Sequence, residues 1–137
     1  MKSSGFIAAS AAIMLVLGLF HLFYTFNGPN LQPRDPDLTA RMQAGTAAIT
    51  REISIWQIWI GINATHSLGL IMFGAMYGYL SIWQREFLLR SWFLLAFGFA
   101  VLLGYAIIAK LYFFSAPFRG VALAAVLYMV GVLIKTV

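Results

Sequence analysis

From Trp56 to Trp83 the chain runs without a single Asp, Glu, Lys or Arg. A helix over that stretch is roughly 40 Å long, the depth of a bilayer with its headgroup regions. A tryptophan near each end suits the two interfaces, where the indole ring sits at headgroup level. Composition points the same way. The 137 residues are 62% hydrophobic and 9% charged, too little polar surface to cover a soluble domain.

Three further runs are long enough to span. Gly5 to Phe26 is apolar apart from Ser10, His21, Tyr24 and Thr25. Lys2 before an apolar core resembles a signal peptide, but the run continues past the usual length and no small-x-small cleavage site follows, so it reads as an uncleaved anchor. Asn27-Gly28-Pro29-Asn30 ends it, since Gly and Asn suit a left-handed cap and Pro cannot continue the ladder. In the connection from Asn27 to Ile55, Asp35 as N-cap, Pro36 at the first helical position and Asp37 in the first turn predict a short surface helix beginning near Pro36. Leu38, Met42, Gly45 and Ile49 follow at helical spacing, and the helix is read as lying along the interface. Gln84-Arg85-Glu86 reads as a tight charged turn into a third span, from Phe87 or Ser91 to Ala109. Ser115-Ala116-Pro117 opens a fourth, ending at Lys135. The expectation is all-α: residues 1–137 as a single transmembrane domain, an up-down-up-down four-helix bundle with a short amphipathic helix in the first loop and both termini on one side.

Charge and residue types exclude several functions. With no cysteine, disulfide frameworks and thiol chemistry drop out. The net charge of +5 flanks apolar runs instead of forming a basic stripe, which suits anionic lipid headgroups and not nucleic acid. No apolar run holds a carboxylate, so a di-metal bundle site is not expected and no metal ligand is assigned. Orientation is nearly balanced. Lys2, Arg85, Arg90 and Lys135 with Glu86 mark the terminal side; Arg34, Arg41, Arg51, Lys110 and Arg119 with Asp35, Asp37 and Glu52 mark the other. The free amino terminus and the acid-neutralised long loop favour cytoplasmic termini.

The second span carries a consecutive polar knot, Asn63, Thr65, His66 and Ser67. On a helical wheel Trp59, Asn63, His66, Leu70, Phe73 and Tyr77 share one face, and Gly61, Thr65 and Gly69 another. The second face is a small-xxx-small pattern of the kind through which membrane helices approach closely, with a helix of the same chain as the simplest partner. On the first face, polar groups in hydrocarbon require partners and mark either interhelical glue or a ligand site. Counting helical rise from Phe26 and Trp56, His21 and Asn63 lie roughly 8 to 11 Å deep and His66 about 15 Å. Tyr105 reaches a similar depth from Lys110 by the same rise. His21, Thr25, Trp59, Asn63, His66 and Tyr105 are therefore the candidate ligand-binding residues. Haem ligation by His21 and His66 is disfavoured by their different depths.

His21 near the end of span one, Arg34-Asp35-Pro36 in the loop and Asn63-Ala64-Thr65-His66-Ser67-Leu68-Gly69 in span two resemble a family of small bacterial four-helix integral membrane proteins. The resemblance covers the first half of the chain best. It implies one compact domain in a bacterial inner membrane and brings no activity, cofactor or catalytic residue with it.

Three functions are weighed. The first is binding of a lipid-like or quinone-like molecule in a polar pocket in the long-loop half of the bundle, walled by aromatics. The second is an accessory or assembly subunit, gripping another membrane protein or a second copy through the Gly61, Thr65 and Gly69 face or the glycines of span four. The third is an enzyme or proton-coupled transporter using His66, supported only by imidazole's titration near neutrality. Beyond these, membrane lipid is the expected surrounding partner.

Overall fold

The computed structural model describes residues 2–135, and of Lys135 the backbone only. The Met1 amino terminus and the Lys135 charge, both counted toward the terminal side, lie outside the described residues. The described chain is all-α, a four-helix bundle with two short helices in its connections: α1 (Lys2–Phe26), α2 (Pro36–Ala44), α3 (Ile55–Trp83), α4 (Arg85–Arg90), α5 (Trp92–Tyr112) and α6 (Ser115–Lys135). Four of them are long and apolar enough to cross a membrane. Only between 22% and 28% of each apolar window is buried within the chain. Side chains such as Phe20, Ile62, Met72, Phe93 and Val126 stand exposed. So much uncovered apolar surface belongs in lipid, and the chain is an integral membrane protein.

Most element ends follow from short side chains at their caps. Asp35 accepts a hydrogen bond from the Asp37 N–H at 2.9 Å, with Pro36 just behind it, and so opens α2 as expected. The apolar spacing that continues to Ile49 does not extend α2. Gly45 turns extended after Ala44, Thr46 pairs with Ser54 in an antiparallel bridge, and Ile49 is left 91% exposed. Gly28 takes φ +82°, the left-handed turn that ends α1 and that a Cβ would strain. A reciprocal box starts α3: Ser54 Oγ accepts from the Gln57 N–H, and Gln57 Oε1 accepts from the Ser54 N–H. The charged segment after Trp83 is not a bare turn. Arg85–Arg90 winds into α4, Leu88 inserts fully buried into the core, and Ser91 caps α5 through the Leu94 N–H. Arginine and Glu86 keep the solvated side while one leucine anchors the other, which explains a helix where charge density suggested a loop.

By its contacts the chain forms two compact units, Met1–Leu17 with Leu70–Val137, and Gly18–Gly69, so that the division falls within α1 and α3. In the first unit, Ile7, Ala11 and Met14 of α1, Leu70, Phe73 and Tyr77 of α3, Leu95 and Leu102 of α5, and Val121, Ala124 and Tyr128 of α6 make one core. The helices run antiparallel here. Leu15 and Ala11 lie against Gly74, with Ala11 also nearing Gly78. Ser3 and Ile7 lie against Gly131, with Leu17 against Gly120. A Cβ on Gly74 would come within 2.6 Å of the Leu15 backbone N and within 2.7 Å of the Ala11 carbonyl, so this approach of α1 to α3 requires glycine. Gly120 and Gly131, weighed above as a grip for another protein, are taken up by α1 of the same chain; Ser3 Oγ donates to the Gly131 carbonyl at 2.5 Å. Tyr77 and Tyr128 reach α5 together. The Tyr77 hydroxyl donates to the Leu94 carbonyl at 2.7 Å and the Tyr128 hydroxyl to that of Leu95 at 3.1 Å, over Gly98.

The second unit contains the end of α1, the long connection with α2, and the start of α3. Its connection is held down by the Trp59 indole N–H, which donates to the Leu31 carbonyl at 3.1 Å. Asp35 and Arg41 approach to 3.7 Å, an exposed pair of little energetic weight.

Candidate functional site

Within the second unit, α1 and α3 bring His21, Asn63 and His66 together. His21 Nε2 lies 3.1 Å from Asn63 Oδ1, and the His21 and His66 rings meet edge to face with centroids 5.0 Å apart. All three side chains are half-buried. Asn63 sets the protonation pattern. Its Nδ2 is 2.8 Å from the Trp59 carbonyl, which can only accept, so the other end of the amide is the oxygen and His21 must donate to it. His21 Nε2 therefore carries a proton.

Sequence spacing placed Asn63 and His66 on one face of α3, and the structure puts both toward α1. The helical-rise depths separated His21 from His66 by several ångströms, whereas the rings are in contact. Rise along two straight axes ignores helix tilt and side-chain reach, and a histidine extends far enough to close that gap. In this arrangement the two imidazoles are in edge contact, with no gap for a porphyrin plane between them.

The remaining candidates are distributed as follows. Thr25 is buried, and its hydroxyl donates to the His21 carbonyl at 2.7 Å, one turn back on its own helix. Ser67, also buried, does the same to the Asn63 carbonyl at 2.8 Å. Both hydroxyls are thereby satisfied within their own helices. Trp59 is 40% exposed, and its N–H is committed to the connection. Tyr105 belongs to the first unit, where its half-buried ring packs against the apolar core. On the small-residue face, Gly61 and Thr65 are exposed and Gly69 is half-buried; a Cβ on Gly61 would meet nothing within 4 Å. Thr65 Oγ1 folds back onto the Gly61 and Ile62 carbonyls at 2.9 and 3.0 Å. That part of α3 is a smooth outer surface.

Among the described residues, no three His, Cys, Asp or Glu side chains gather as a metal site would require. Two features were not read from the sequence. The paired hydroxyls of Tyr77 and Tyr128 sit in apolar runs where tyrosine passes for a core residue. The Leu31 carbonyl is a backbone acceptor, and backbone groups leave no trace in residue type. Around the polar pair, exposed Phe20, Phe23 and Tyr24 line the outer end of α1, with Phe20 and Tyr24 stacked at 6.3 Å.

No protein-family model, curated protein or solved structure matches the chain.

Proposed function

We propose that this integral membrane protein binds a lipid-like or quinone-like molecule in the half that carries the long connection, with His21, Asn63 and His66 holding its polar head. The observation that carries the reading is the His21–Asn63 hydrogen bond with His66 packed against it, inside segments otherwise cleared of such groups. Imidazole and amide in a membrane span are costly when unsatisfied, and pairing across helices removes much of that cost. Simple helix adhesion needs one such pair. A second imidazole packed edge to face against the first, with the partly exposed Trp59 one turn before Asn63 on the same helix, joins polar groups to aromatic surface, the usual make-up of a small-molecule site. The motif resemblance of the first half supports a bacterial cell membrane as the setting.

Native mass spectrometry of the full chain, gently extracted, tests this. A bound small molecule is expected on the unaltered protein and should be weakened by His66→Ala and by Asn63→Ala. A clean unliganded mass for the unaltered protein would overturn the reading.

A second reading, an accessory subunit, is favoured by the exposed small residues Gly61 and Thr65, with open space around the Gly61 position. A photo-cross-linking residue in place of Thr65 should then capture another polypeptide or a second copy in intact membranes. Adducts confined to the same chain would defeat it.

A further inference from the structure

Where α5 ends and α6 begins, Ala106, Ile107, Lys110, Leu111 and Phe118 border a groove of about 270 Å³. The volume falls below the roughly 300 to 1,000 Å³ of sites that enclose a whole small molecule. It suits a segment of a chain that lies along the protein. Ile107 and Leu111, 51% and 67% exposed, leave the groove accessible from outside. The groove follows α5 for a turn and a half, from Ala106 to Leu111, which by helical rise is roughly 7 to 8 Å.

One end of this groove is cationic. Lys110 Nζ sits 5.1 Å above the Phe118 ring, so the ammonium is held at the groove's mouth. Arg119 follows directly, and exposed, on α6. No acidic residue follows Glu86, so neither cation meets a carboxylate from α5 or α6. Tyr112 at the end of α5 and Phe113 and Phe114 in the connection, all exposed, give this corner the aromatic character of the headgroup level. An apolar groove with an ammonium at its edge, a guanidinium at the next position of α6 after Phe118, and no carboxylate on α5 or α6 is complementary to an anionic amphiphile. We propose that this groove retains an anionic phospholipid, with an acyl chain against Ile107, Leu111 and Phe118 and the headgroup phosphate on Lys110 and Arg119. The residues are separate from the histidine site, and the inference does not depend on the function proposed there.

The full chain in mild detergent, mixed with dioleoylphosphatidylglycerol or dioleoylphosphatidylcholine, provides the test, with retained lipid counted by native mass spectrometry. The anionic lipid should be held in preference. Lys110→Gln and Arg119→Gln should each reduce that preference about fivefold. Ile107→Trp, which fills the groove and keeps both charges, should lower retention of the anionic lipid as well. All three positions are exposed except for the contact Lys110 makes, so folding is not at stake. Equal retention of the two lipids, a preference unchanged in the Lys110→Gln, Arg119→Gln double variant, or full retention in Ile107→Trp would overturn the proposal and leave the groove to a partner helix.

Discussion

Asn63 links two helices with one amide, accepting from His21 and donating to the Trp59 carbonyl. Its inward direction was legible because a hydrophobic face at a period of 3.6 residues fixes which way each position points. The partner was not, since periodicity says nothing about what stands opposite. The same limit applies to glycine. Gly61 in its small-xxx-small pattern looked like the site of close approach, yet it faces open space, while Gly74 has the backbone of α1 against it. One substitution at the two places should therefore act with opposite sign. Gly74→Ala drives a methyl into backbone atoms and should destabilise the protein by about 1 to 3 kcal/mol, the cost of overpacking. Gly61→Ala relieves chain entropy in an open helical position and should stabilise by about 0.5 to 1 kcal/mol. Unfolding in mixed micelles with increasing sodium dodecyl sulfate measures both; a loss at Gly61 as large as that at Gly74 would contradict the packing described.

At the level of elements, caps were more readable than lengths. Asp35-Pro36-Asp37 announced α2, and Ser91 was one of two offered starts for the third span, because a cap acts on its own backbone and needs no tertiary partner. The Ser54–Gln57 box was equally present in sequence and went unread. The end of α2 and the existence of α4 escaped for a different reason: the Thr46–Ser54 bridge and the burial of Leu88 are pairings that helical periodicity does not encode. Since α2 buries no residue, its stability rests on its cap. Asp35→Ala should raise amide hydrogen exchange from Asp37 to Ala44 by about threefold to thirtyfold, matching a cap worth about 0.5 to 2 kcal/mol, and leave α3 unchanged. Exchange in α2 that does not respond would mean that something other than the cap holds it.

For the molecule as a whole, four apolar runs were enough to give the fold class, because lipid admits few alternatives to helices that satisfy their own backbones. In the first unit α1 lies antiparallel to α3 and to α6 through the approaches at Gly74 and Gly120, and the Ser3–Gly131 hydrogen bond ties the beginning of α1 to the end of α6. The functional reading needs one thing more: that the histidines form an ordered polar contact while the protein is in a bilayer. Solid-state nuclear magnetic resonance of the full chain in lipid, with ¹⁵N-labelled histidine and asparagine, measures this directly. The account predicts a proton on His21 Nε2, a through-space contact between the two imidazole rings, and a His21 signal that moves in Asn63→Leu. A bare His21 Nε2, or two rings that show no contact, would contradict it.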